Sequence, residues 1–280
     1  MELSWLISAI TLSIFVTSFG EAPKTDYCHL PYCGVNNLPC NNQALYSKDC
    51  APNSRTISMP QYRHIILKRI NEFRNLTASG GLKLLKGAAR MSRMSYSLEL
   101  EEMARLIAIT CSAEKFCVGT PEFYYVGSIL EGYIYKGDLN QYEDLELMTR
   151  KIEEWIKYSA SINMKMGLYM PAKLENRNTA KAALLIAARN THMGCAAMRF
   201  TIDHLHHFIL VCAFSTDLFV RKPLYRMSFI PASACKEQDR TYAALCAVGE
   251  DYGNEKYKPG AVIFEPPSNL SNIPTTIIPA

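Results

Sequence analysis

The sequence predicts an α+β domain cross-linked by disulfides. Three observations carry that expectation. Four stretches repeat apolar residues at spacings of three and four, two extended apolar runs follow late in the chain, and all ten cysteines lie beyond residue 27.

Leu3 to Phe19 is mostly apolar and carries no charge. The run is short for a bilayer-spanning helix and suits the core of a signal peptide. Ser18 and Gly20 are small residues at −3 and −1 for a cut before Glu21, and a cut after Ala22 would also serve. Glu2 stands where a basic residue is usual, so the amine of Met1 has to supply the positive end. An uncleaved membrane anchor is the rival reading. No later segment is long and apolar enough to span a membrane. Residues 1–20 are therefore expected to be a signal peptide, and the mature chain to be secreted and extracellular.

An even number of cysteines in an exported chain reads as a disulfide framework. A metal cluster is the alternative, but the chain has no C-x-x-C pair of the kind structural zinc sites use. The formal charge of +4 is too mild, and reads as too evenly spread, for a dedicated nucleic-acid surface.

Residues 21–57 form a cysteine-rich N-terminal arm. Asp26 to Pro52 holds Cys28, Cys33, Cys40 and Cys50 without helical or strand periodicity, so cross-links must hold its shape. From residue 58 the pattern changes. Pro60 suits the first turn of a helix, where its missing N–H costs nothing. Tyr62, Ile66, Ile70, Phe73 and Leu76 then give one apolar face, and Gly80 and Gly81 end it. A second helix is predicted from about Ser97 to Cys111, with Leu100, Met103, Ala104, Ile107 and Ala108 inward. A third runs from about Glu143 to Tyr158 around Leu147, Ile152, Trp155 and Ile156. A fourth, alanine-rich, spans about Thr179 to Asn190.

Met193 to Phe200 and His207 to Phe214 are two extended runs joined by residues 201–206. If they form a hairpin with Cys195 opposite Cys212, Ala197 falls opposite Leu210 and Arg199 opposite Phe208. Directly opposed β-carbons are close enough for a disulfide. The main domain is expected over 58–224. In residues 225–258, Cys235 and Cys246 would close a small satellite loop. The segment 259–280, rich in proline and threonine, reads as an extended tail.

This order of features resembles the antigen 5 branch of the CAP superfamily, in particular insect venom allergen-like proteins. Thr25-Asp26-Tyr27-Cys28, Cys33-Gly34, Cys40-Asn41-Asn42 and Cys50 are similar to the opening of those proteins. Asn71-Glu72-Phe73-Arg74-Asn75 resembles the end of the family's H-N-x-x-R-N helix. Ala89 to Met94 falls where the family has a segment ending in S-R-M. Ala187 to Asn190 followed by Met193 to Ala197 resembles the approach to its G-C-A strand, and Phe208 to Cys212 the strand before its C-N-Y motif. The resemblance implies a three-layer α-β-α sandwich. It also implies disulfides Cys28–Cys40, Cys33–Cys117, Cys50–Cys111 and Cys195–Cys212, which leaves Cys235 and Cys246 for each other.

Many family members line a cleft with two histidines and two acids, and some bind a divalent metal there. Carried over one at a time, those positions are not retained. The histidine before N-x-x-R falls on Ile70, and the acid of the G-E-N motif falls on Ser128. The acid three residues after the family tryptophan falls on Tyr158, and the histidine of G-H-F-T falls on Lys181. Ile70 offers no lone pair, Lys181 is a cation, and Ser128 and Tyr158 are poor neutral ligands. No metal and no cofactor are expected, and no catalytic residue is assigned. A shift in register between Ala160 and Thr179 would instead bring Glu153, Glu154 or His192 toward the cleft.

Asp203, His204, His206 and His207 form a local cluster, read as a polar hairpin tip rather than a surface metal site. Tyr124-Tyr125 and Tyr133-Ile134-Tyr135 are candidates for an apolar groove, or for core. Asn75-Leu76-Thr77 and Asn269-Leu270-Ser271 are glycosylation acceptors. The expected function is a non-catalytic secreted protein that binds an extracellular protein or cell-surface partner. By analogy with the family it would belong to a seminal, salivary or venom-type secretion. The alternative is a carrier of a small lipid such as a fatty acid or sterol; a hydrolase is a distant third, since no nucleophile motif is present.

Overall fold

The structure, a computed structural model, describes residues 25–265. The expected signal peptide, the acceptor Asn269 and most of the expected tail lie outside these residues.

The long hairpin that Cys195 and Cys212 suggest is the centre of the sheet. β5 (His192–Ile202) and β6 (Leu205–Phe214) pair antiparallel, with Cys195 opposite Cys212, Ala197 opposite Leu210 and Arg199 opposite Phe208. Only Asp203 and His204 form the turn, both with positive φ (48° and 63°), as a two-residue type I′ turn requires. The six-residue link expected from sequence is therefore shorter, and Thr201, Ile202, Leu205 and His206 belong to the strands. β4 (Gly127–Tyr135) adds to the free edge of β6. β1 (Arg55–Ile57) and the parallel β3 (Ser95–Tyr96) add to β5. β1 was assigned to the arm by sequence; three residues are too few to show a strand period. A separate two-stranded ladder joins β2 (Gly87–Ala88) to β7 (Met227–Ser228).

Helices cover both faces. α2 (Leu98–Ala108) packs on one side with Met198, Ile209 and Val211. Ser97 caps it by accepting the Leu100 N–H, and Glu99 and Glu101 sit in the first turn, where the helix dipole favours negative charge. Gly194 lets its N-terminus approach β5: a Cβ there would lie 2.1 Å from the Glu101 nitrogen. α1 (Arg63–Ala78), α3 (Asp144–Lys157), the short α4 (Met164–Leu168) and α5 (Asn178–Ile186) cover the other side. The result is the three-layer α-β-α sandwich. One residue on the predicted face of α1 is misplaced: Leu76 is half exposed, and Thr77 is buried in its stead.

The five disulfides join Cys28–Cys40, Cys33–Cys117, Cys50–Cys111, Cys195–Cys212 and Cys235–Cys246. Two of them tie the arm to the segment after α2. The C-terminal loop is docked rather than detached. Arg93 pairs with Asp239 at 3.0 Å, and the Cys246 N–H reaches the Met91 carbonyl. The start of the tail is also docked: Ile263 and Phe264 are buried, and the Phe264 N–H donates to the Leu218 carbonyl. The apolar run Ala261 to Phe264 is too short, between Pro259 and Pro266, to show a period by which to expect that.

Arg74 of α1 is fully buried. It donates to the carbonyls of Ser92 (2.8 Å), Leu185 (2.6 Å), Ala187 (3.0 Å) and Asn190 (3.2 Å). Burial pulls its guanidinium down to about 9, so it remains a cation at neutral pH. Removing a buried charge-assisted donor strands several carbonyls at once. Arg74→Leu is expected to cost roughly 3–5 kcal/mol, measured by denaturant unfolding. Leu76→Ala, on the same helix, should stay within about 1 kcal/mol.

Candidate functional site

The strand period decides which cleft positions can meet. Along β4, Ile129, Glu131 and Tyr133 oppose Cys212, Leu210 and Phe208 and face α1, α3 and α5. Ser128 opposes Ala213 and shares its face with Leu130, toward α2. Ser128 therefore does not join Ile70, Tyr158 and Lys181. The acid on the cleft side is Glu131, three residues on, a position that sequence comparison alone passed over. Alternation counted from Gly127 puts Glu131 and Ser128 on opposite faces, and the layers packed on each side decide which of them meets the cleft.

Glu131 is almost fully buried and already engaged. Trp155 Nε1 donates to its Oε2 at 2.6 Å, and Lys181 Nζ lies 3.0 Å from the same oxygen. The Lys181 ammonium stands 5.7 Å from the centre of the Tyr158 ring. Burial lowers the Lys181 pKa against the opposing pull of Glu131. Burial, reinforced by the Glu131 charge, pushes the Tyr158 phenol up to about 12. Nearby, Lys151 is 1% exposed, pairs with Glu154 at 2.8 Å and stands 5.2 Å from the Tyr133 ring centre. Ile70 is fully buried in the surrounding core. The carboxylate is thus committed to an ammonium and an indole, and a divalent ion would have to displace Lys181 to reach it. These residues do not fit the metal that some relatives hold.

The acids that a shifted register would bring in are occupied elsewhere. Glu153 forms a two-point pair with Arg69, and Glu154 holds Lys151. His192 lies at the start of β5, 5.2 Å from the Phe123 ring, with its Nδ1 on Thr191. The late histidines do not converge. His206 uses both ring nitrogens, on Thr201 and on the Gly137 carbonyl, while His207 stacks on Phe200. The tyrosine pairs line no groove. Tyr125 is buried against Tyr32 and holds the Lys258 backbone, and Tyr133 and Tyr135 pack edge-on to Tyr142. Asn75 is half-buried and accepts the Ala244 N–H at 2.9 Å, and Thr77 of the same acceptor sequence is fully buried. Among the described residues, the one close group of three metal-ligand types is Cys235, Cys246 and Glu250, and its cysteines are consumed in a disulfide.

A model of the cysteine-rich secretory protein family, CAP, matches residues 67–214. The chain belongs to this family. Among curated proteins it is similar to Tabinhibitin 7 of Tabanus yao, at 27% identity over 250 residues, covering 88% of this chain and 96% of that protein. Tablysin 15 of the same organism is 27% identical over 248 residues, covering 87% and 95%. The CAP assignment, within the insect venom allergen-like branch, rests on the family match and these relatives. Solved structures share the fold. NaASP2 with Zn2+ superposes with a TM-score of 0.54 at 18% identity, covering 67% of this chain and 95% of that one. BmVAL-1 gives 0.53 at 16%, covering 71% and 98%.

Breaking one side of the Glu131–Lys181 pair should be worse than removing both. Glu131→Leu is expected to cost about 3 kcal/mol, and Glu131→Leu with Lys181→Met to recover more than half of it; a double-mutant cycle on unfolding free energy measures this. Acid should also weaken the fold. Burial holds the pKa of His192 and of His207 below the usual 6.5, so the unfolded chain binds more protons below that pH. Their contribution is intact above pH 6.5 and falls as the pH drops below it. His192→Phe should flatten the stability profile between about pH 7 and 5.

Proposed function

We propose that this CAP protein is a non-catalytic secreted protein that acts by binding an extracellular protein or a cell-surface partner. The observation that carries this reading is the state of the cleft: its carboxylate, Glu131, is bound by Lys181 and Trp155, and Ile70, where the family resemblance implies a histidine, is fully buried. The Tyr158 phenol, held near 12, is a poor group to move a proton at neutral pH. The five-disulfide frame supports residence outside the cell, because such bonds persist in oxidising compartments. The tabinhibitins are inhibitors by name, which supports a binding role and leaves the target of this chain open. Carriage of a fatty acid or sterol in the same cleft is less well supported: Ile70 is packed into the core instead of lining an open channel.

Purified protein dialysed at neutral pH should contain far less than one zinc per chain, and added zinc should not raise its melting temperature. Stoichiometric zinc that a chelator removes, with loss of stability, would overturn the reading. Native mass spectrometry of protein from its natural source should show the bare polypeptide mass, apart from glycan; a co-purifying lipid would favour the carrier instead.

A further inference from the structure

Charge is not evenly spread over this molecule. Three segments, 82–98, 156–174 and 218–236, contain no aspartate or glutamate, yet hold four, three and four Lys or Arg residues. The fold brings them side by side. β2 pairs with β7. The Met170 N–H donates to the Lys222 carbonyl, and the Leu224 N–H to that of Gly167. Arg90 and Arg93 are neutralised by Glu250 and Asp239. Lys83, Lys86 and Lys165 are exposed and have no carboxylate partner among the described residues.

The same face holds large apolar side chains in water. Phe229 is 84% exposed and Ile230 69%. They do not sit on a loose strand. Before them, Met227 and Ser228 are bound to β2; after them, the Ala232 and Ala234 N–H groups donate to the carbonyls of Ala88 and Ala89. Between these clamps the Ile230 N–H is turned onto Ser228 Oγ at 3.0 Å. The Lys86 ammonium stands 4.1 Å from the centre of the Phe229 ring. Lys86 also lines a surface cavity of about 570 Å³ with Leu84, Met164 and Lys165, and Leu84 and Met164 are each nearly half exposed.

We infer that this face is a docking surface for an anionic phospholipid bilayer, with Phe229 and Ile230 entering the interface and Lys83, Lys86 and Lys165 meeting the headgroups. A purely ionic polymer would satisfy the lysines and leave the two projecting side chains in water. A bilayer with negative headgroups satisfies both sets of groups, since interfacial binding combines buried apolar area with attraction of basic residues to anionic lipid. The clamped loop presents the apolar pair already ordered, so little conformational freedom is lost on docking.

The test is co-sedimentation of the intact protein with vesicles of phosphatidylcholine containing about a quarter phosphatidylserine, against phosphatidylcholine alone. The protein should pellet with the first and not the second, and less so as salt is raised. Phe229→Ser with Ile230→Ser should weaken partitioning about tenfold or more. Lys83→Glu, Lys86→Glu and Lys165→Glu together should weaken it roughly a hundredfold. Val35→Ser with Leu45→Ser, equally exposed but elsewhere, should change nothing, and near-ultraviolet circular dichroism should show all variants folded. Failure of the intact protein to bind anionic vesicles overturns the inference. So does binding that survives both sets of substitutions, or retention on heparin without binding to vesicles.

Discussion

Arg74 holds together the parts of this molecule that local sequence cannot. Its guanidinium is closed off from water and solvated by carbonyls instead of a carboxylate. Those carbonyls come from three places: Ser92 ahead of β3, the end of α5, and the crossover from α5 to β5. A cation at the last carbonyls of α5 also meets the negative end of that helix. Asn71, one turn earlier, exchanges two hydrogen bonds with the Met94 backbone. One face of α1 thereby fixes where the sheet begins and where α5 ends, and so fixes the position of Lys181.

The disulfides do a different kind of work. The arm from Thr25 to Ser54 has too few apolar residues to fold alone, and Cys33–Cys117 and Cys50–Cys111 fasten it to the loop after α2. Cys195–Cys212 adds little reach, because the hairpin it crosses is already paired along its length. At the other end, Asp239 and Glu250 tie the Cys235–Cys246 loop back through Arg93 and Arg90. Cross-links and ion pairs hold the periphery, while apolar packing holds the three layers.

Within that frame the charged residues of the cleft are engaged with one another. A carboxylate shared by an ammonium and an indole is well satisfied. Lys151 follows the same pattern, with its stem buried and its charge turned to Glu154. Lys83, Lys86 and Lys165 stand exposed beside the β2–β7 ladder and α4, without a carboxylate partner among the described residues.

Much of this was legible in the residues themselves. The even cysteine count, the helical periods and the hairpin register follow from local rules: a period of 3.6 or 2 is written in successive residues. Other features needed the folded chain. Glu131 could not be separated from Ser128 until the strand's two faces were assigned to different layers. Leu76 and Thr77 exchange burial because the buried stripe through Ile66, Ile70 and Phe73 continues at 77 rather than at 76. The basic face arises from segments more than forty residues apart in sequence, each unremarkable alone. Periodicity determines which side of an element is apolar; only packing decides which elements share that side, and so which charges meet.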